Sequence, residues 1–342
     1  MNLRTKIFLV ILLLMGLVAC QADEAPDTEL ETDILSPITV CASSTSANQI
    51  VFVYAQEKGL FEKYGLDIEF VTFNSGSDAA TALVTGDVDI CQISGSAVVY
   101  AALAGEEMVF IGGLFNRHLY SIVTRPEIQS VDDLVGSIFA ISKPGGSADS
   151  MMRIAIQHWG LEVDQDVALL TVGNQSERLA AMETGDVSGT VLSVPETSRA
   201  KELSYQIFLD LGDLELPYPS ISIAARRSFV SENREAALQF MKAVVEAIQL
   251  MKHDREDTIQ VMAASLLLDP LEDAGMLAEA YDVLILQRLE TIPYTPEAGI
   301  QTVIDLARLD NPDATQLTAA DMIDNSLVME LDESGFIGNL SP

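Results

Sequence analysis

The sequence predicts an α/β protein of two lobes, with mostly parallel sheets and a helical C-terminal region, and three observations carry that prediction. The first is an internal echo: Ala82-Leu-Val-Thr-Gly-Asp-Val-Asp-Ile-Cys-Gln-Ile-Ser94 returns, 181 − 82 = 99 residues later, as Ala181-Met-Glu-Thr-Gly-Asp-Val-Ser-Gly-Thr-Val-Leu-Ser193. Each copy reads as a helix end, a glycine suited to the left-handed conformation that closes helices, and a short apolar strand. The second is the alternation of β-prone and helix-patterned stretches from Ile38 onward. Its short connections argue for parallel strands joined by helices. The third is the region after Ser228, which is helix-patterned over residues 232–251, 255–268, about 271–289 and 296–308.

In chain order, residues 1–19 read as a signal peptide. Arg4 and Lys6 precede the apolar run 7–18, which is too short to remain as a permanent membrane span. Leu17-Val18-Ala19-Cys20 resembles the lipobox of bacterial lipoproteins, which implies cleavage before Cys20 and a lipid on its sulfur. Residues 20–37 are acidic and poor in apolar surface, an expected tether. Two lobes of ordinary domain size follow, one made of residues 38–124 plus 212–342 and the other of residues 125–211 inserted into it. The chain therefore crosses between them twice, near residues 124–126 and 211–220.

Within the first lobe, residues 38–42 read as a strand and 43–48 as a polar loop. A helix from about Gln49 ends near Gly59 or Gly65, and residues 66–73 form the next strand. Ser77 or Asp78 is placed to cap the helix that leads into the first echo. Residues 94–96 open another helix, and 108–115 and 119–125 are apolar strands that close this half. Pro126 marks the boundary, because a proline pushes the residue before it out of helical geometry. In the second lobe, residues 137–142 are a strand, and Lys143-Pro-Gly-Gly-Ser-Ala-Asp149 is a loop whose glycines let backbone approach a ligand. A helix over 150–159, a strand over 168–172, a helix over 176–183, the second echo and a helix from Pro195 complete it. Residues 206–211 and 221–225 read as strands returning to the first lobe.

Charge and cysteine count exclude several partners. The formal net charge is −32, and removal of Arg4 and Lys6 with the signal peptide makes it −32 − 2 = −34. Such a surface repels nucleic acid and anionic lipid. Besides Cys20 only Cys41 and Cys91 remain, both in apolar strand-like runs, as buried thiols or as a bridge if their strands are neighbours. His118, His158 and His253 have no metal-ligand spacing, and there is no Gly-x-Ser-x-Gly elbow or phosphate-binding glycine loop. Glu196 lacks a nucleophile beside it. No enzyme, metal or cofactor is expected.

The echoes deliver Ser94 and Ser193 to the carboxyl ends of their strands, where open α/β sheets bind ligands. Helix N-termini there offer backbone N–H groups and partial positive charge. The candidate ligand-binding residues are Ser44, Thr45 and Asn48; Ser75 and Ser77; Ser94 and Ser96; Gly145, Gly146, Ser147 and Asp149; Ser193 and Glu196; and, for aromatic burial, Phe115 and Tyr218. Any one of the polar groups serves equally well to cap its own helix; their convergence from both lobes points to a ligand. A dipole contact is worth about 0.3–1 kcal/mol and a hydrogen bond about 0.5–1.5. Several are needed to reach the roughly 8 kcal/mol of micromolar binding.

Three segments resemble the periplasmic substrate-binding proteins that serve nitrate, sulfonate, taurine and thiamine-pyrimidine importers. They are Val53-Tyr-Ala-Gln-Glu-Lys-Gly-Leu-Phe-Glu-Lys-Tyr-Gly-Leu66, the Gly-Asp-Val pair, and Ser142-Lys-Pro-Gly-Gly-Ser147. The resemblance spans roughly residues 38–251. It implies the two-lobed periplasmic-binding-protein fold, type II-like, and a monomeric receptor of an ABC importer. It further implies a lipid-anchored location on the extracytoplasmic face of the cell membrane, with permease and ATPase subunits as partners. The fungal pyrimidine-synthesis enzymes of the same family rely on a Cys-rich motif that this chain lacks.

Basic residues near the expected cleft are few, namely Lys143, Arg117 and Arg199. Aromatic candidates are more numerous: Tyr54, Phe73, Tyr100, Phe115, Tyr120 and Tyr218. Aromatic walls with hydroxyl and amide rims suit a flat heterocycle. The sequence thus leans to a vitamin or its precursor, riboflavin or the thiamine pyrimidine. An alkanesulfonate, taurine or nitrate is the alternative, and a surface-anchored enzyme on the same fold a further one.

Overall fold

The structure, a computed structural model, describes residues 36–214, 216–310 and 317–340. The signal peptide, Cys20 and most of the expected tether lie outside the described residues. The principal elements run β1 (Ser36–Ala42), α1 (Ile50–Glu57), β2 (Leu66–Thr72), α2 (Gly76–Thr85), β3 (Ile90–Ile93), α3 (Gly95–Leu103), β4 (Met108–Arg117), β5 (Ser121–Thr124), β6 (Ser137–Ile141), α4 (Ser147–His158), β7 (Val167–Thr171), α5 (Gln175–Thr184), β8 (Gly189–Leu192), α6 (Glu196–Glu202), β9 (Gln206–Asp210) and β10 (Pro217–Arg226). Helices α7 (Arg234–His253), α8 (Arg255–Leu266), α9 (Ala274–Ala280) and α10 (Glu297–Asp310) follow. The long helix expected over about 271–289 is α9 passing into a π-helical turn, Tyr281–Arg288.

The echo in the sequence is an echo in space. Ser75 caps α2 by accepting from the Asp78 N–H, and Asn174 caps α5 in a reciprocal box with Glu177. The helices end at Gly86 (φ 83°) and Gly185 (φ 87°), a conformation that costs glycine little and other residues more. The Thr85 hydroxyl donates to Asp87 and the Thr184 hydroxyl to Asp186, each over 2.6 Å. An arginine guanidinium covers each glycine, Arg226 over Gly86 and Arg125 over Gly185.

The two five-stranded sheets have matching orders, β2-β1-β3-β10-β4 and β7-β6-β8-β5-β9. In each, four strands run one way, and the strand in the fourth place runs against its neighbours. That strand corrects the expected crossing. Residues 121–124 were expected to close the first half, yet β5 pairs with β8, from Ser121 opposite Leu192 to Thr124 opposite Gly189. β9 pairs with β5 and does not return to the first sheet. A strand of four residues with two apolar side chains carries no information about which sheet will pair with it; here Ile122 and Val123 are fully buried between β8 and β9. The chain thus leaves the first sheet through residues 118–120, and on the way back the described residues 211–214 follow β9. The first passage touches the start of β10: the His118 ring stacks on Tyr218 at 4.6 Å and 23°. Burial, and then Arg288, pull the His118 imidazole down to about 4, so it is neutral at physiological pH.

One apolar cluster packs α1, α7 and α8 with β1 and β10. A second runs from α2 and α3 to α4 and α10 and includes Ile122 and Phe139, so it joins the two sheets. The open question about the cysteines is answered in register. Cys41 and Cys91 lie opposite each other on β1 and β3 with Cα atoms 4.5 Å apart, and they are disulfide-bonded.

Candidate functional site

Residues that follow β1, β2, β6 and β7 meet at one polar pocket of about 20 Å³. Ser43, Ser44 and Gln49 come from the loop after β1, and Asn74, Ser75 and Gly76 from the turn into α2. The second sheet supplies Ser142 and Ser147 before and at the start of α4, with Asn174, Gln175 and Arg178 at the start of α5. Tyr120, in the first crossing, completes the wall.

Bonds across the rim draw the two sheets together. Asn48 donates to the Tyr120 hydroxyl over 3.1 Å, and the Ser77 hydroxyl donates to the Pro144 carbonyl over 2.6 Å. Lys143 pairs with Asp78 at 2.6 Å, so the lysine expected to serve the cleft is engaged at its edge.

Arg178 sets the electrostatics. It is buried, and it alone among the pocket's lining residues is charged at neutral pH. Its Nε donates to the Thr190 hydroxyl over 3.0 Å, Nη1 to the Gly173 carbonyl over 2.5 Å and Nη2 to the Val191 carbonyl over 2.8 Å. A guanidinium has five N–H donors, which leaves two beyond these three. No carboxylate among the described residues forms an ion pair with it. Burial pulls its pKa down to about 10, still well above neutrality. Glu196, at the start of α6, acts on its charge together with Tyr120 and Glu177. Burial pushes the Glu196 carboxyl up to about 7 against its own backbone N–H and the pull of Arg178, and its Oε2 has no hydrogen-bond partner among the described residues.

The structure divides the expected ligand residues into three groups. Ser44, Ser75 and Ser147 line the pocket. Thr45 and Glu196 line a separate cavity of about 300 Å³, with Leu179 and Arg199. The rest are scaffold. Asn48 holds Tyr120 and accepts from Ser46; Ser77 ties the rim. Asp149 accepts from the Gly145 N–H and from Arg153. Gly145 takes a left-handed turn (φ 77°), and Gly146 precedes α4. Ser94 and Ser96 face each other at 3.2 Å, and Ser193 is held by Gln175 from both its N–H and its hydroxyl.

Two aromatic expectations are corrected. Phe115 is fully buried in the first apolar cluster with Leu114 and Ile221, because β4 carries it into the core under β10. Tyr218 is buried against His118 and lines a different cavity, of about 350 Å³, with Tyr100 and Val303. The expected ligand residues did not include Ser43, Gln49, Asn74, Gly76, Ser142, Asn174, Gln175 or Arg178. Arg178 carried a usable signal: a cation in the first turn of a helix opposes the helix dipole, so another constraint must place it there.

Glu196 makes stability depend on pH in a defined direction. Its folded value, about 7, lies above its ordinary 4.5. A raised carboxyl stabilises the fold fully below the unfolded value, and that contribution is lost as pH rises through the folded one. Glu196→Gln, which cannot ionise, is therefore expected to match the parent near pH 4 and exceed it by about 3 kcal/mol at pH 8. Urea unfolding of both proteins from pH 4 to 8 measures this; parallel curves would remove Glu196 as the cause.

Comparisons with known proteins agree with this geometry. The model of the family described as "NMT1/THI5 like" matches residues 46–258. A binding protein of Brucella abortus (strain 2308), named without a ligand, is 26% identical over 252 residues, covering 72% of this chain and 76% of its own. The taurine-binding periplasmic protein of Escherichia coli (strain K12) is 25% identical over 201 residues, 57% of this chain and 61% of its own. Among solved structures, the periplasmic nitrate-binding protein NrtA of Synechocystis PCC 6803 superimposes with a TM-score of 0.72. Its identity is 16%, covering 90% of this chain and 91% of that one. This likeness shows the periplasmic-binding-protein fold.

Proposed function

Because the chain belongs to the NMT1/THI5-like family, we propose that it is the substrate-binding component of an ABC importer. It is a receptor without catalytic activity that closes two lobes on a small ligand and passes it to permease and ATPase subunits. The observation that carries this reading is Arg178, a buried cation with donors to spare in a pocket of hydroxyls, amides and helix N-termini. Such a site holds an oxyanion by charge-assisted hydrogen bonds.

The ligand in this reading is a small oxyanion, a sulfonate first and nitrate second, and not the heterocyclic vitamin that the aromatic count favoured. Position supports the change: Tyr54 and Phe115 are buried in the first apolar cluster, and Tyr120 is the one aromatic lining the pocket. The relative from Escherichia coli is named for taurine, itself a sulfonate, and the Synechocystis neighbour for nitrate. Calorimetric titration with methanesulfonate, taurine, nitrate, hydroxymethylpyrimidine and riboflavin tests the reading. Heat from at least one oxyanion, with the ligand recovered unchanged, is expected; binding of a heterocycle with every oxyanion inert would restore the vitamin.

The receptor in this reading is a monomer held at the extracytoplasmic face of the cell membrane by the lipid on Cys20. Its lobes hinge at residues 118–120 and 211–214. Cys20→Ser is expected to move the folded protein from the membrane fraction to the soluble one. A variant that stays with membranes after a carbonate wash would count against the anchor.

A further inference from the structure

Two contacts outside the arginine pocket join the half of the molecule built on the first sheet to the half built on the second. In one, Lys143 before α4 pairs with Asp78 of α2 at 2.6 Å, beside the bond from the Ser77 hydroxyl to the Pro144 carbonyl. In the other, the Ser198 hydroxyl of α6 donates to Glu279 of α9 over 2.6 Å, and Lys201 lies 3.7 Å from the same carboxylate. α9 belongs to the first half through Leu277 and Ala280 in the first apolar cluster. α6 belongs to the second through Ala200, clustered with Val123 and Leu192. None of Asp78, Lys143, Ser198, Lys201 and Glu279 lines the pocket.

Charge gives these contacts their weight. Residues 125–211 carry 6 basic and 13 acidic side chains, a net 6 − 13 = −7, which leaves −32 + 7 = −25 for the rest of the chain. Two acidic bodies repel each other, so holding them together needs an offset where their surfaces approach. Lys143 and Lys201 are two of the 6 cations in that stretch, and each is set against a carboxylate of the other half. An exposed ion pair alone contributes little. The second contact is the stronger, because a buried hydroxyl donates to a carboxylate there.

We infer that Lys143–Asp78 and Ser198–Glu279–Lys201 are two locks that hold the lobes closed without touching the ligand, and that they set the receptor's affinity separately from its specificity. This rests on the reading of the chain as a receptor that closes its lobes, and not on which ligand it takes. The apparent affinity of a ligand that binds the closed form is reduced by the fraction of molecules that are closed. Breaking a lock therefore weakens every ligand by one common factor, whereas a pocket residue such as Arg178 changes their ranking. The lock residues are positioning residues: they act through the approach of the two halves.

Spin labels at Glu69→Cys and Leu170→Cys, exposed positions on β2 and β7, report the separation of the halves in the Cys20→Ser chain. Cys41 and Cys91 are bonded to each other and take no label. Pulsed electron resonance on this parent without ligand is expected to show a closed population. Lys143→Met should lower the ratio of closed to open molecules about two- to fivefold, and Glu279→Ala about tenfold. Ser198→Ala combined with Glu279→Ala should do no more than Glu279→Ala alone, because both break one contact. Lys143→Met combined with Glu279→Ala should give the product of their two factors. A merely structural role would lower stability to urea and leave these ratios unmoved. A parent with no closed population, or a folded two-lock variant with the parent's distances, would overturn the locks and leave the receptor reading standing. If the ratios respond to the locks but a bound ligand leaves the distances unchanged, closure on ligand fails and the locks remain.

Discussion

Arg178→Met is expected to lower affinity for the captured oxyanion by about a thousandfold. Two donors of the guanidinium remain after those given to Thr190, Gly173 and Val191. A hydrogen bond involving a charged group is worth about 1.5–3 kcal/mol, and two such bonds span roughly a hundred- to ten-thousandfold. Arg178→Lys retains charge but loses the planar fork, so an intermediate loss is expected. The substitution also frees two buried carbonyls, and the Met variant should be about 2–4 kcal/mol less stable than the parent. Affinity by calorimetry and stability by urea unfolding must therefore be measured on the same preparations. Unchanged affinity in a folded Met variant would remove Arg178 from the site.

The second large effect is covalent. The Cys41–Cys91 bond closes a loop across a sequence separation of 50 residues. In the chain-entropy account, constraining an unfolded loop of that size stabilises the fold by about 4 kcal/mol. At a few degrees per kcal/mol for a chain of this size, the Cys41→Ala/Cys91→Ala variant should melt on the order of ten degrees lower. The bond also lies close below the site: Cys41 is two residues before Ser43, and Cys91 is three before Ser94. Looser strand ends there should cost affinity as well as stability. Scanning calorimetry with and without ligand separates the two, and an unchanged melting temperature would show that neighbouring packing alone holds β1 to β3.

What the sequence revealed and what it hid follow from the range of the interactions involved. The repeated Thr-Gly-Asp-Val was legible because a helix stop and the strand after it are set by adjacent residues, and both copies kept the left-handed glycine. The caps were less legible: Ser77 or Asp78 was expected to close the start of α2, and the observed caps are Ser75 and, on α5, Asn174. The pairing of β5 was not legible, since the short strand Ser121–Thr124 fits either sheet until β8 and β9 are in place. Phe115 illustrates the limit for aromatics: its identity suited a ligand wall, and the strand register carried it into the core. Asp149 and Ser193 had suitable chemistry at suitable places, yet their hydrogen bonds are taken up by Gly145, Arg153 and Gln175. Arg178 was hidden among charged surface residues because only tertiary contact with β8 buries it.

The exchange of β5 and β10 also fixes the order in which an emerging chain can finish its parts. The sheet ordered β7-β6-β8-β5-β9 is made wholly from residues 121–210, an unbroken stretch. The other begins 85 residues earlier, at Ser36, yet has a gap between β3 and β4 until Pro217–Arg226 arrives. The part of the molecule that is synthesised first is therefore completed last. Until then the facing edges of β3 and β4 wait without a partner, a state in which unpaired strands are open to association with other chains.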